Sequence, residues 1–173
     1  MGGREFLFSF KFFLIFFYIN EPKPEIMEIK LTNQESEKLF HNSLCNGLNE
    51  IGMYGIEVGY SDKDYKAAQK SLKDKIEKKD YPHEMSVYKD EKPTICYEDV
   101  LMEILRNGKP LEVIDNENSV LEEGTKKIFL KDVYDNISLT PAKHLLDAVN
   151  ENDDAITADC ILQSVFFKDI IFS

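Results

Sequence analysis

The feature that most constrains this chain is a hydrophobic run that its core is not expected to use. Residues Phe6 to Ile19 read Phe-Leu-Phe-Ser-Phe-Lys-Phe-Phe-Leu-Ile-Phe-Phe-Tyr-Ile and hold seven of the twelve phenylalanines. A secretory signal needs a basic start, an unbroken apolar stretch and small residues at its cleavage point. Here Glu5 offsets Arg4, Lys11 splits the run, and Asn20-Glu-Pro-Lys-Pro24 offers no small-x-small site. A membrane span needs about 20 apolar residues, and the stretch from Phe12 to Ile19 supplies eight. Phe, Lys, Ile, Asn, Tyr and Leu are also the residues that AT-rich DNA encodes when translated without selection. Met27 then opens Met-Glu-Ile-Lys-Leu-Thr, which reads as a natural start running into a strand and a helix cap. Residues 1–26 are therefore expected as a leader outside the core. A mis-set start ranks ahead of a signal or an anchor, and residues 27–173 are expected as one domain.

Within that domain the apolar spacing alternates between helical and strand periods. Met27 to Leu31 reads as a short strand. Thr32-Asn-Gln-Glu35 is a capping box, in which hydroxyl and carboxylate satisfy free amides at a helix start. The helix it opens carries Leu39, Phe40, Ser43, Leu44 and Leu48 on one face and stops at Gly52-Met-Tyr-Gly55. Gly55 to Tyr60 alternates as a strand. Ser61 caps a second helix with a narrow stripe of Tyr65, Ala68, Leu72 and Ile76, and its seven lysines mixed with five acids fit a solvated face. Tyr81 to Pro93 reads as a loop, and Ile95 to Asn107 as a helix stopped by Gly108.

Pro110 to Asp115 and Lys126 to Leu130 are expected to pair as a hairpin across the polar stretch Asn116 to Thr125. Lys131 to Ile137 suits one or two helical turns. Thr140-Pro141 reads as a helix start, with Thr as cap and Pro in the first position. Asp154 caps a last helix with Ala158, Ile161, Leu162, Val165 and Phe166 inward, and Ile170-Ile-Phe172 is an apolar tail that has to pack or pair. The expectation is an α+β fold. It is a single compact domain with a short, mostly antiparallel sheet of about three to five strands, packed with about four or five helices.

Charge narrows the function classes. The formal net charge is −11, whereas nucleic-acid binding draws on clustered Lys and Arg that displace counterions. Nucleic acid is thus disfavoured as a partner. A basic protein partner suits such a surface, as does mimicry of nucleic acid on a protein that binds it. The excess is uneven: Pro110 to Gly124 has five acids and no base, and His144 to Ser173 has six acids and one Lys. If those stretches adjoin, they form an anionic patch opposite the Lys-rich helix, an arrangement fitted to binding a protein.

The search for chemistry yields little. Cys45, Cys96 and Cys160 are widely spaced and odd in number, so no disulfide framework is expected, and buried reduced thiols are the favoured reading. His41 and Cys45, four apart on a helix, can face one point. With Cys96, Cys160 or His144 they make a weak candidate metal site, since zinc needs about four ligands. Asn150-Glu-Asn-Asp-Asp154 and Asp115-Asn-Glu-Asn118 lack the central Gly of a calcium loop. No phosphate-cradling glycine motif or nucleophile elbow occurs. Acid pairs such as Asp153 with Asp154, or Asp159 with Glu151, select nothing on a chain this acidic. His144 with Asp147, one turn apart, is equally ordinary. No catalytic residue and no cofactor is assigned.

Thr140-Pro-Ala-Lys-His-Leu-Leu-Asp147, Asp153-Asp-Ala-Ile-Thr-Ala-Asp-Cys-Ile-Leu-Gln163 and Phe166-Phe-Lys-Asp-Ile-Ile-Phe172 together resemble the endings of small uncharacterised proteins of bacteriophages and prophages. The resemblance implies an accessory protein made in the cytoplasm of a bacterial host, and it transfers no functional residue. The expected function is a non-catalytic interaction protein that binds another protein through its acidic surface, with a homo-oligomer left open. The alternatives are a small metal-binding protein or enzyme around His41 and Cys45, and an anionic decoy of a nucleic-acid-binding enzyme. Export or membrane anchoring would follow only if residues 6–19 act as a true signal or anchor.

Overall fold

The computed structural model describes residues 29–81 and 94–172. The leader, the supposed strand's first residues and most of the Tyr81 to Pro93 loop lie outside the described residues. The described chain is an α+β domain of six α-helices and a three-stranded antiparallel sheet. No helix among the described residues is long and apolar enough to cross a membrane.

Helix α1 (Asn33–Gly52) starts at the expected capping box. Thr32 Oγ1 accepts from the Glu35 amide at 3.2 Å, and Glu35 Oε2 accepts from the Thr32 amide at 2.7 Å. Thr32→Ala is expected to cost about 1 kcal/mol in equilibrium unfolding, the usual worth of such a cap. Ile29 to Leu31 are not a strand. They approach the cap without a sheet partner, and their half-buried Ile29 and Leu31 pack directly on the core. Gly55, at φ +76°, turns the chain after α1 into β1 (Ile56–Gly59).

Helix α2 (Asp62–Glu77) buries Ala68 and Leu72, with Tyr65 and Ile76 half-buried beside them. It lies against α3 (Tyr97–Arg106), whose Glu103 has no exposed surface. Lys75 closes on both Glu103 oxygens at 2.7 Å and Ser71 Oγ donates to Oε1 at 2.6 Å. One lysine of the solvated face is thus turned inward as a counter-ion.

The hairpin forms as expected from β2 (Leu111–Asp115) and β3 (Thr125–Ile128), with β2 central between β1 and β3. Val113 pairs with Val58 on one side and Lys126 on the other. Its loop is organised by Asp115, which accepts the amides of Val120 at 2.7 Å, Leu121 at 2.9 Å and Glu117 at 3.2 Å. These amides, that of Leu121 foremost, hold the Asp115 carboxyl down at about 2. A carboxyl with a lowered folded pKa adds stability above its unfolded pKa, and that stability fades as pH falls through the folded value. Asp115→Asn should therefore weaken the fold at neutral pH and flatten the loss of thermal stability between about pH 4 and pH 2. An unchanged acid profile in a pH series of melts would rule this out.

Helix α4 (Leu130–Asn136) and a 3-10 turn (Ile137–Leu139) lead to α5 (Ala142–Val149). Thr140 does not cap α5. Pro141 occupies the cap position with ψ 133°, and Thr140 turns inward, buried, with no partner for its Oγ1. The restriction that proline places on its preceding residue keeps Thr140 extended and sets the helix start one residue later.

Helix α6 (Ala155–Phe167) is capped by Asp154, which accepts the Thr157 amide at 2.8 Å. Every residue from Thr157 to Phe166 is buried, so α6 is central and enclosed on all sides. Apolar residues around the whole circumference are the sequence counterpart of such burial. Helix α1 lies across it at Gly47, where a Cβ would stand 3.0 Å from the backbone of Ala158 and Asp159. Lys168, at φ +66°, ends α6. The tail then turns back, and the Gln163 side chain takes it as a strand would. Its Oε1 accepts the amides of Ile171 and Phe172, each at 2.8 Å, and its Nε2 donates to the Phe172 carbonyl at 3.2 Å.

Candidate functional site

The four candidate ligands do not form one centre. His41 is buried on α1, and its Nε2 meets Asp99 Oδ1 at 3.0 Å. Asp99 in turn accepts the Cys96 amide through Oδ2 at 2.7 Å, which starts α3. His41 is thereby engaged by a carboxylate, and its Nδ1 has no partner. Cys45 and Cys96 are exposed, against the expectation of buried thiols. Leu44, before Cys45, points inward, while Cys45 lies on the outer side of α1 and Cys96 at the exposed cap of α3. Cys160 is buried as expected, but on α6. Among the described residues, no three His, Cys, Asp or Glu side chains converge as a metal ion would require.

The thiols are poor nucleophiles as well. Desolvation, with the negative charges of Glu98 and Asp99, pushes the Cys45 thiol up to about 12. Desolvation and the charges of Asp159 and Asp154 also raise Cys160. Reactive thiols need the opposite environment, one that favours the thiolate. A cavity of about 400 Å³ lies beside Cys45, lined in part by Leu48, Tyr97 and Glu98.

A second cavity, about 500 Å³, opens where the end of α1, the starts of α5 and α6, and the tail meet. Tyr54 and Phe172 stack at 4.4 Å with an interplanar angle of 7° to build one wall. Ile156 and Ile170 line it, together with Cys160 and His144, whose Nδ1 contacts Thr157 Oγ1 at 3.1 Å. Glu50 and Asp159 supply two carboxylates. Asp159 is 6% exposed. Its Oδ2 accepts from Gln163 Nε2 at 2.8 Å, and its Oδ1 is buried without any hydrogen-bond partner. Burial raises the Asp159 carboxyl, and the charge of Glu50 adds to the effect against the lowering contact of Gln163.

The sequence named Cys160 and His144 as possible ligands beside His41 and Cys45, and Asp159 as one of many acids, but did not bring them together as this second site. Asp159 does not pair with Glu151, which instead binds Lys38 at 2.8 Å on the surface. His144 likewise meets Thr157 and not Asp147. The signal that could have pointed here is the polar pair Asp159 and Gln163, one turn apart in a helix whose other polar residues are only the hydroxyls Thr157 and Ser164. Such a pair must find partners wherever the helix is enclosed.

One large apolar side chain of this cavity's lining stands in solvent, and two more flank lining residues in the chain. Ile156, one of its lining residues, is 65% exposed. Met53, next to Tyr54 in the chain, is 71% exposed, and Ile171, between Ile170 and Phe172, is 45% exposed. The carboxylates of Asp153 and Glu151 precede α6 nearby in sequence and face Asn46 and Lys38 of α1. No protein-family model, curated protein or solved structure matches this chain.

Proposed function

We propose that this is a non-catalytic interaction protein, which binds a partner protein at the acidic, apolar-rimmed mouth of the cavity beside α6. The observation that carries this reading is the exposure of Ile156 in the cavity lining, with Met53 and Ile171 exposed next to the lining residues Tyr54, Ile170 and Phe172 in the chain. Large apolar side chains exposed on an acidic domain are costly in water unless something covers them. Burial and neighbouring carboxylates raise the Cys45 and Cys160 thiols, which disfavours either as a nucleophile. The net charge of −11 favours a partner with basic residues around an apolar centre. The setting implied by the C-terminal resemblance, a phage or prophage accessory protein in a bacterial cytoplasm, is part of the same proposal.

The test is affinity capture from a lysate of the cells that make the protein, with size-exclusion chromatography of the complex. A stoichiometric partner is expected, recovered in lower yield as salt screens the acidic surface. Met53→Glu should reduce recovery by about tenfold or more, because it places a charge in the apolar contact. Recovery of no partner, or of one indifferent to Met53→Glu, would overturn the reading. A self-complex in the chromatography would make the partner a second copy of the chain.

A further inference from the structure

We propose that the cavity beside α6 holds a primary alkylammonium group, which donates to the unpartnered Oδ1 of Asp159 while its alkyl body lies on Ile156, Ile170 and Phe172. The inference deepens the interaction reading, since the docking surface surrounds the same mouth, and rests on it for the identity of the carrier.

A carboxylate oxygen that is buried and makes no hydrogen bond is costly, and a donor arriving there recovers that cost. The other Asp159 oxygen is already engaged by Gln163, which fixes the carboxylate plane against the tail. Glu50 brings a second carboxylate to the lining, where the two outnumber its single basic side chain, His144. The ligand should therefore be a cation. A hard metal ion needs six or more oxygen ligands, and these walls are largely apolar and aromatic. An organic cation with N–H donors at one end and a hydrocarbon chain satisfies both halves of the lining.

Access follows from the helix. Side chains lean toward the helix N-terminus, so Asp159 leans toward Ile156, three residues earlier on the same face. Ile156 is 65% exposed and lines the same cavity as Asp159, which puts the carboxyl on a face of α6 that meets the opening.

The carrier of the ammonium is either a lysine of the bound partner or a free small amine. The test is a titration of the full chain, followed by two-dimensional amide NMR, with butylammonium, butan-1-ol and a lysine blocked at both its amino and carboxyl ends. Butylammonium is expected to shift the amides of Tyr54, Asp159 and Phe172 and to bind at least about tenfold more tightly than butan-1-ol. Asp159→Asn should abolish that preference while remaining folded. Glu50→Gln should reduce it by a smaller factor, and stands in if Asp159→Asn does not fold. Blocked lysine binding as well as butylammonium identifies a partner lysine as the carrier, and butylammonium binding alone identifies a free amine. The proposal is overturned if neither amine binds, if butan-1-ol binds equally, or if both variants retain the preference. Because Met53 is outside the cavity lining, Met53→Glu tests partner capture alone. Lost capture with butylammonium binding intact sinks the interaction reading, whereas intact capture by Asp159→Asn with amine binding lost leaves the ammonium site without a role in it.

Discussion

Lys75→Met is expected to destabilise the domain by about 3 kcal/mol, the usual consequence of removing one partner of a buried ion pair. Glu103 has no exposed surface, and Lys75 contacts both of its oxygens at 2.7 Å. After the substitution the carboxylate keeps only the Ser71 hydroxyl. A buried charge left in that state must either remain unpaired or take up a proton. Lys75 itself is 33% exposed, so its own desolvation on folding is partial and does not offset the effect. The double replacement Lys75→Met with Glu103→Leu should recover most of the loss, because an apolar pair fills the same space without charge to desolvate. Urea unfolding of the two variants and the parent decides the matter. A loss below about 1 kcal/mol in the single variant would show that water reaches Glu103 in solution.

Gly47→Val should cost about as much, through packing alone. The Cβ it introduces would stand 3.0 Å from the Ala158 carbonyl carbon and the Asp159 nitrogen, both backbone atoms that cannot rotate away. The helices α1 and α6 must separate to admit it, and overpacking of this kind costs about 1–3 kcal/mol. Gly52→Ala is the control. It lies in the same helix, a Cβ there meets nothing within 4 Å, and the usual gain of about 0.5–1 kcal/mol from replacing a helical glycine should appear. The two substitutions therefore move the melting temperature in opposite directions. If both raised it, the close crossing of α1 and α6 would be wrong.

These two sites also mark how far the sequence could be read. Thr32 and Asp154 announced their helices because a cap is satisfied within three residues of itself. The hairpin was legible for the same reason: its alternating runs and polar loop are neighbours in the chain. Ile29 to Leu31 alternated convincingly but found no edge to pair with, and pairing is decided by distant strands. The position of Gly47 against α6 and the inward turn of Lys75 depend on contacts far along the chain, which no local pattern encodes. Cys45 and Cys96 show the converse. Apolar neighbours suggested burial, yet Cys45 follows the buried Leu44 on the outer side of α1 and Cys96 stands at the exposed cap of α3. The candidate cavity was hardest to foresee, because its walls come from four separate segments. Asp159 was one acid among thirty-two in the sequence, and only its enclosure distinguishes it.

The central place of α6 has a consequence for biosynthesis. Helix α1 leaves the ribosome with Leu39, Phe40 and Leu44 ready for burial, but the helix that covers them is roughly a hundred residues behind, a wait of about 10 s at ordinary elongation rates. During that interval β1, α3 and α4 emerge to pack on α1, but the helix with which it shares most of its packing is still missing. Pulse-labelled chains halted before Ala155 should be caught by chaperones or aggregate, and those halted after the tail has emerged should resist protease.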